Sequence, residues 1–292
     1  MALTGKWTAS SFKYIDKSGN SIVEDESGNG NHARGFNVTP VYLHDSRGKP
    51  LGNKENETEQ AIDTAAYSVG TRESFEQRKW EVDDETIGLG FNGHSFMKIL
   101  NDDAINLSKF TLCVSVGLYN PSKSQYIIDK RNGQWYRNYC MLYASPSFPH
   151  LRDGMNDSSW FLVDIGDGSW MDDDFHNGVF FSIDRVPSLT MFDFVATFDG
   201  NFLVFWLEDK VVGFREKLKI GDITGSGDLV VGDAGFPHTV GQWPVGNSHT
   251  LYGKIDKIEI YDTVERVVTQ ESLMMEDSIT IEPFKKPKDR EN

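Results

Sequence analysis

Only two cysteines, Cys113 and Cys140, occur in 292 residues, so no disulfide framework can carry this fold. Both lie inside apolar or aromatic strand-like runs, where buried free thiols are expected in preference to a bridge. No stretch approaches the roughly 18 consecutive apolar residues of a membrane-spanning helix. Membrane insertion by a helix is therefore not expected. Met1 to Trp7 lacks the basic and apolar regions of a signal peptide, and synthesis in a cytoplasm is the expectation. Four N-x-S/T sequons, at Asn37, Asn56, Asn106 and Asn156, then read as chance matches. Lys and Arg number 29 against 44 Asp and Glu, a net charge of −15. The clustered cations that phosphate contacts require are missing, which argues against a nucleic-acid partner. Catalytic signatures are missing as well. The seven histidines are dispersed, and there is no G-x-S-x-G elbow or phosphate loop.

What is present is apolar, aromatic and rich in glycine: 38% hydrophobic, 12% aromatic and 27 glycines. Helical periodicity nowhere exceeds about ten residues, and short apolar runs recur at roughly ten-residue spacing between Gly, Asn and Asp turns. The expectation is an all-β chain. Runs such as Phe110–Leu118, Gln125–Ile128, Tyr139–Tyr143, Trp160–Val163 and Leu229–Gly232 read as strands. Phe192–Phe198 and Asn201–Leu207, joined through Asp199-Gly200, form the clearest hairpin. Residues 44–79 are polar and charged and read as an insertion, with one short helix near Ser74–Lys79. One domain is expected over residues 1–275, with one or two helical turns in Val267–Met275, and a fraying Pro-Lys-rich tail over 276–292.

Two phrases near opposite ends stand out. Asp25-Glu-Ser-Gly28-Asn-Gly-Asn31-His32 is a turn whose glycines and asparagines suit left-handed backbone, and Leu251–Tyr261 is an alternating strand with a polar face. First and last strands of a sandwich commonly pair, so these segments are expected to be neighbours. Taken in order with Ile87-Gly-Leu-Gly-Phe-Asn-Gly93, Phe110–Leu118, Ile128-Asp-Lys130, Phe194–Gly200, Glu208–Val212 and Leu229–Gly232, they resemble the concanavalin A-like, laminin-G-like family. The resemblance implies a two-sheet antiparallel jelly-roll sandwich of lectin or adhesion type. It also implies a structural Ca2+ joining the two ends, held by Asp25, the carbonyls around Gly28 and Asn31, and Asp256. On the bland alternative, Asp25 and Asn29 close an Asx turn and Asp256 faces solvent.

A second acidic stretch, Asp164 to His176, has the density of an oxygen-ligand site without EF-hand spacing. Trp160, Trp170 and His176, with Trp135, Tyr136 and Trp243, could stack on sugar rings or on a protein surface, unless they are ordinary core. A hydrolase reading has one hook: Glu81-Val-Asp83-Asp-Glu85 resembles the E-x-D-x-E carboxylates of laminarinase-type glucanases. Asp84 occupies a place that should be apolar in that pattern. The expectation is a non-catalytic binding, adhesion or structural protein that contacts glycan or protein through its loops. A bacteriophage virion surface is its expected setting, with other virion proteins or further copies as partners. The alternatives are the hydrolase and a purely structural assembly protein.

Overall fold

The computed structural model describes residues 2–14, 20–44, 66–69, 86–131, 137–145, 159–169, 178–183, 186, 191–208, 210–216, 218, 220–234 and 250–264. The hydrolase motif, the segments expected to be helical and the C-terminal tail lie outside these residues. Among them the only helical element is a 3-10 turn at Ala9–Ser11; the rest is strand and turn. The strands are β1 (Leu3–Thr8), β2 (Phe12–Tyr14), β3 (Asn20–Val23), β4 (Ala33–Phe36), β5 (Thr39–His44), β6 (Ala66–Val69), β7 (Thr86–Asn92), β8 (Phe96–Ile99) and β9 (Phe110–Leu118). There follow β10 (Gln125–Asp129), β11 (Arg137–Ala144), β12 (Ser159–Asp167), β13 (Val179–Ile183), β14 (Met191–Phe198), β15 (Leu203–Leu207), β16 (Lys210–Arg215), β17 (Leu229–Val231) and β18 (Tyr252–Tyr261).

These strands form two antiparallel sheets. Sheet A runs β16-β15-β14-β9-β18-β7-β5-β6, with β1 also on β18; sheet B runs β13-β12-β11-β10-β17-β8-β4-β3-β2. The all-β, two-sheet sandwich expected from the sequence is the observed architecture. The expected hairpin is present, with Phe194 opposite Leu207 and Phe198 opposite Leu203. Inside the expected insertion at 44–79, Ala66–Val69 forms β6 and pairs with β5. One expectation is corrected. The strand expected to end at Val163 continues through Asp167, since β11 offers it partners as far as Arg137. The apolar run stops at Val163, but backbone pairing does not depend on side-chain polarity.

Alternation along each strand builds the core. In β9, Phe110, Leu112, Val114, Val116 and Leu118 are all at most 1% exposed. In β11, Tyr139, Met141 and Tyr143 join the same core, while Cys140, Leu142 and Ala144 turn to the other face and form a separate cluster with Tyr126, Leu162 and Trp160. Phe161 of sheet B contacts Phe194 of sheet A at 4.5 Å and Phe192 at 5.5 Å between ring centroids, tying the layers together. Both cysteines are free; Cys113 lies on sheet A and Cys140 on sheet B.

The ends of the described chain meet, with β1 rather than the Asp25 turn as the direct neighbour of β18. β1 pairs with β18, placing Leu3 opposite Tyr261 and Trp7 opposite Ile258, and Thr4 Oγ1 donates to Ile260 O at 3.0 Å. Gly5 makes this seam possible, for a Cβ there would lie 2.3 Å from the buried Trp7 ring.

Truncating Phe161 to Ala should lower unfolding free energy by about 3–5 kcal/mol, because a large ring is lost between two layers that cannot collapse onto the gap. Urea denaturation of both proteins measures it, with an unchanged m-value expected.

Candidate functional site

The Asp25 turn is built as an Asx turn. Oδ1 of Asp25 accepts from the Ser27 N–H at 2.9 Å and the Lys6 N–H at 3.0 Å, and Oδ2 accepts from the Asn31 N–H at 3.0 Å. Gly28 and Gly30 take the left-handed conformations expected of them, with φ of 89° and 79°. Two of the turn's carbonyls accept hydrogen bonds: Asn31 O from Trp7 Nε1 at 2.8 Å, and Gly30 O from the His32 N–H at 2.9 Å. Asn29 Nδ2 reaches Leu3 O and Thr4 O. Burial alone would raise the Asp25 carboxyl, but the donors from Ser27, Lys6 and Asn31 outweigh it and hold it below the usual range.

Asp256 is exposed, and the charges facing it are Lys254, Lys257 and Asp193. The acid that does reach the turn is Glu259, opposite Lys6; Lys6 Nζ lies 3.6 Å from both Glu259 and Glu26. Asp256 stands three residues away, about 10 Å along an extended strand. Among the described residues no three His, Cys, Asp or Glu side chains converge as metal ligands. An ion at this turn would share the Asp25 carboxylate with three N–H donors.

The richest chemistry lies on the outer face of sheet B. Cross-strand pairing lines up one row from edge to interior: Lys13, Ile22, Arg34, Lys98, Val230, Asp129, Cys140 and Asp164. The row divides into two halves. Over β10–β12 it is buried, with Asp129 and Cys140 at 0% exposure and Asp164 at 7%. Arg131 grips Asp129 as a fork, Nε to Oδ1 at 3.1 Å and Nη2 to Oδ2 at 3.0 Å, and its guanidinium lies 5.5 Å from the Tyr126 ring centroid. Trp160, the one predicted aromatic contact residue within the described set, is half-buried against the Tyr126 cluster. Trp135, Tyr136, Trp170, His176 and Trp243 lie outside the described residues, as do Glu81, Asp83 and Glu85.

Burial pushes the Asp164 carboxyl up to about 6, against the pull of Arg131. The Cys140 thiol is also pushed up by burial, so at neutral pH it is no thiolate nucleophile. Asp129 cannot act as a free base while both oxygens are held by the Arg131 fork. Two available carboxylates, the minimum for glycoside hydrolysis, do not occur in this cluster. Beside it, burial lowers the Lys130 amine to about 8. Its Nζ donates to Asn101 Oδ1 and Gly227 O, each at 2.7 Å, stapling two loops across the sheet end.

From β2 to β17 the same face is open. Phe36 is 42% exposed and stacks on Phe96, directly opposite it, at 5.6 Å between centroids. Leu100, just past β8, is 59% exposed. Sequence reasoning overlooked Phe36, Phe96, Arg34, Asp129 and Arg131 as site residues. An available signal was the polar-apolar alternation of Ala33-Arg-Gly-Phe36, which marks a strand with a patterned outer face.

No family model matches the chain, and no curated protein is similar to it. Solved structures with related layouts include domain 4 of AbnA, a GH43 extracellular arabinanase from Geobacillus stearothermophilus, in complex with arabinotriose. It is 14% identical over 93% of this chain and 96% of that one, with a TM-score of 0.46. The binding domain of Paraclostridial Mosquitocidal Protein 1 is 10% identical with a TM-score of 0.47, and this chain spans 50% of its length. Trypanosoma rangeli sialidase, in complex with a difluorinated sugar acid, is 10% identical over 91% of this chain and 31% of that one, with a TM-score of 0.49. Likenesses this distant establish no shared function.

Because Asp164 titrates near 6 when folded but near its usual 3.8 when unfolded, the folded state holds the proton more tightly. Stability from this group is complete below about pH 4 and is lost as pH rises through 6, a change of about 3 kcal/mol. Asp164→Asn should therefore melt higher than wild type at pH 7, with the gap closing by pH 4; parallel thermal scans read it. Asp25→Ala should cost about 1–3 kcal/mol by orphaning three N–H groups. Calcium added to EDTA-treated protein should leave Tm unchanged, since those donors already balance the carboxylate, and a rise of several degrees would show an ion bound beside them.

Proposed function

We propose that this chain is a non-catalytic recognition domain that binds glycan through the outer face of sheet B and the loops around it. The observation that carries the reading is the open half of that face. There Phe36 stands exposed on a half-buried Phe96, beside the exposed Arg34 and the half-buried Lys98, although a sheet with a full core on its other side gains nothing from leaving a ring in water. Rigid aromatic faces on a flat strand platform suit sugar rings, whose C–H faces pack on them while the hydroxyls remain hydrated. The non-catalytic reading is proposed from the sequence, and in the buried cluster the Arg131 fork withholds Asp129 as a free carboxylate. Exposure on a virion is proposed with it from the sequence reading alone, and immunogold labelling of particles tests that setting.

A glycan array probed with wild type should give hits that Phe36→Ala weakens about tenfold or more, at the upper range of one stacking contact. Mass spectrometry of the bound sugars should find them intact. Cleaved products, or an array without hits, would overturn the proposal.

A further inference from the structure

We propose that the open half of this face is a subsite for carboxylate-bearing sugars, with Phe36 and Phe96 as the stacking platform and Arg34 as the carboxylate ligand. This rests on the glycan-binding reading and names its ligand class.

The pairing of β4 with β8 places Phe36 directly opposite Phe96 and Arg34 directly opposite Lys98. All four side chains belong to the outer face, because Gly35 and Met97 between them turn inward and are buried. The result is a two-by-two block: two rings at one level and two cations at the next, about 7 Å along the strands. An acid group on the edge of a stacked pyranose, with the length of one hydrogen bond added, spans most of that step, so a cation at the next level can reach it. A guanidinium can take such a carboxylate through two parallel N–H bonds.

The charges differ in availability. Lys13 Nζ is held 2.6 Å from Glu24 and Lys98 Nζ 2.6 Å from Asp228, whereas Arg34 has no ion-pair partner among the described residues. Asp228 is itself fixed by the Asn101 N–H at 2.9 Å, so Lys98 is aimed rather than loose. The chain carries a net charge of −15, and its general field repels anions. With Lys13 and Lys98 each offset by a carboxylate, Arg34 beside the exposed Phe36 is the cation of this row left to meet an anion, and it does so against that field.

A protein partner fits less well. It would need on the order of 800 Å² of contact around an apolar centre, whereas here each ring has a cation two residues along its strand. Ring and charge alternate at the scale of single sugars.

The test is a glycan array bearing uronate and sialate oligosaccharides beside carboxyl-reduced twins, which keep the rings and lose the charge, with an Asp/Glu-rich peptide as a further arm. Wild type should prefer the acidic member of each bound pair by about 10- to 100-fold, the range for a hydrogen-bonded charge. Arg34→Ala should erase that preference, Phe36→Ala should weaken both members, and circular dichroism should find both variants folded. Hits on neutral twins alone, an acidic preference that survives Arg34→Ala, or equal binding of the peptide would overturn the subsite. The first two outcomes leave the glycan reading standing, whereas an array without hits removes both.

Discussion

Neighbouring residues on a strand must point to opposite faces, and what distinguishes this molecule follows from that constraint. In β11 it sends Tyr139, Met141 and Tyr143 into the core and Cys140, Leu142 and Ala144 to the outer face. Repeated across eight paired strands of sheet B, it aligns a row from Lys13 to Asp164 whose members are distant in sequence. A slip of one residue in any pairing would bring charges into the core and apolar groups out, so the buried face enforces the register of the outer one. The outer row is thus held in place by a core to which it contributes nothing.

Closure of the fold depends on the longest-range contact available. β1 docks on β18 some 250 residues later, and the Asp25 carboxylate fastens the turn after β3 to the back of β1 through Lys6. Trp7 seals the junction, its ring against Gly5 and its indole N–H on Asn31. Three N–H donors converging on one carboxylate explain how a charged group is buried at this turn. Glu259, not Asp256, lies opposite because pairing sets Lys6 against it.

The outer face of sheet B is divided. Over β10–β12 an arginine fork, two acids and a thiol are sealed from water, and burial has moved the acid and the thiol away from ordinary titration. Over β4 and β8 the same pleat leaves rings and cations in solvent. The sealed half carries a stability cost that changes with pH, whereas the open half offers contacts that cost the fold little. The recognition proposed above uses the open half, where a ligand would replace water rather than protein.

By itself the sequence determined the strand-rich character, the hairpin through Asp199-Gly200, the left-handed Gly28 and Gly30, the free thiols and the meeting of the two ends. All but the last rest on local propensity, periodicity or a count of groups that neighbouring residues already settle; the meeting of the ends follows from the common pairing of first and last strands in a sandwich. It did not disclose that Phe36 faces Phe96 or that Arg131 holds Asp129 beside Asp164. It also could not distinguish Asp164 as a strand residue from Asp164 as the start of an acidic loop. Those facts depend on which strands become neighbours and in what register, and many sequence-distant pairings satisfy the same alternation. Only packing one sheet against the other selects among them, because a single arrangement buries both apolar faces at once.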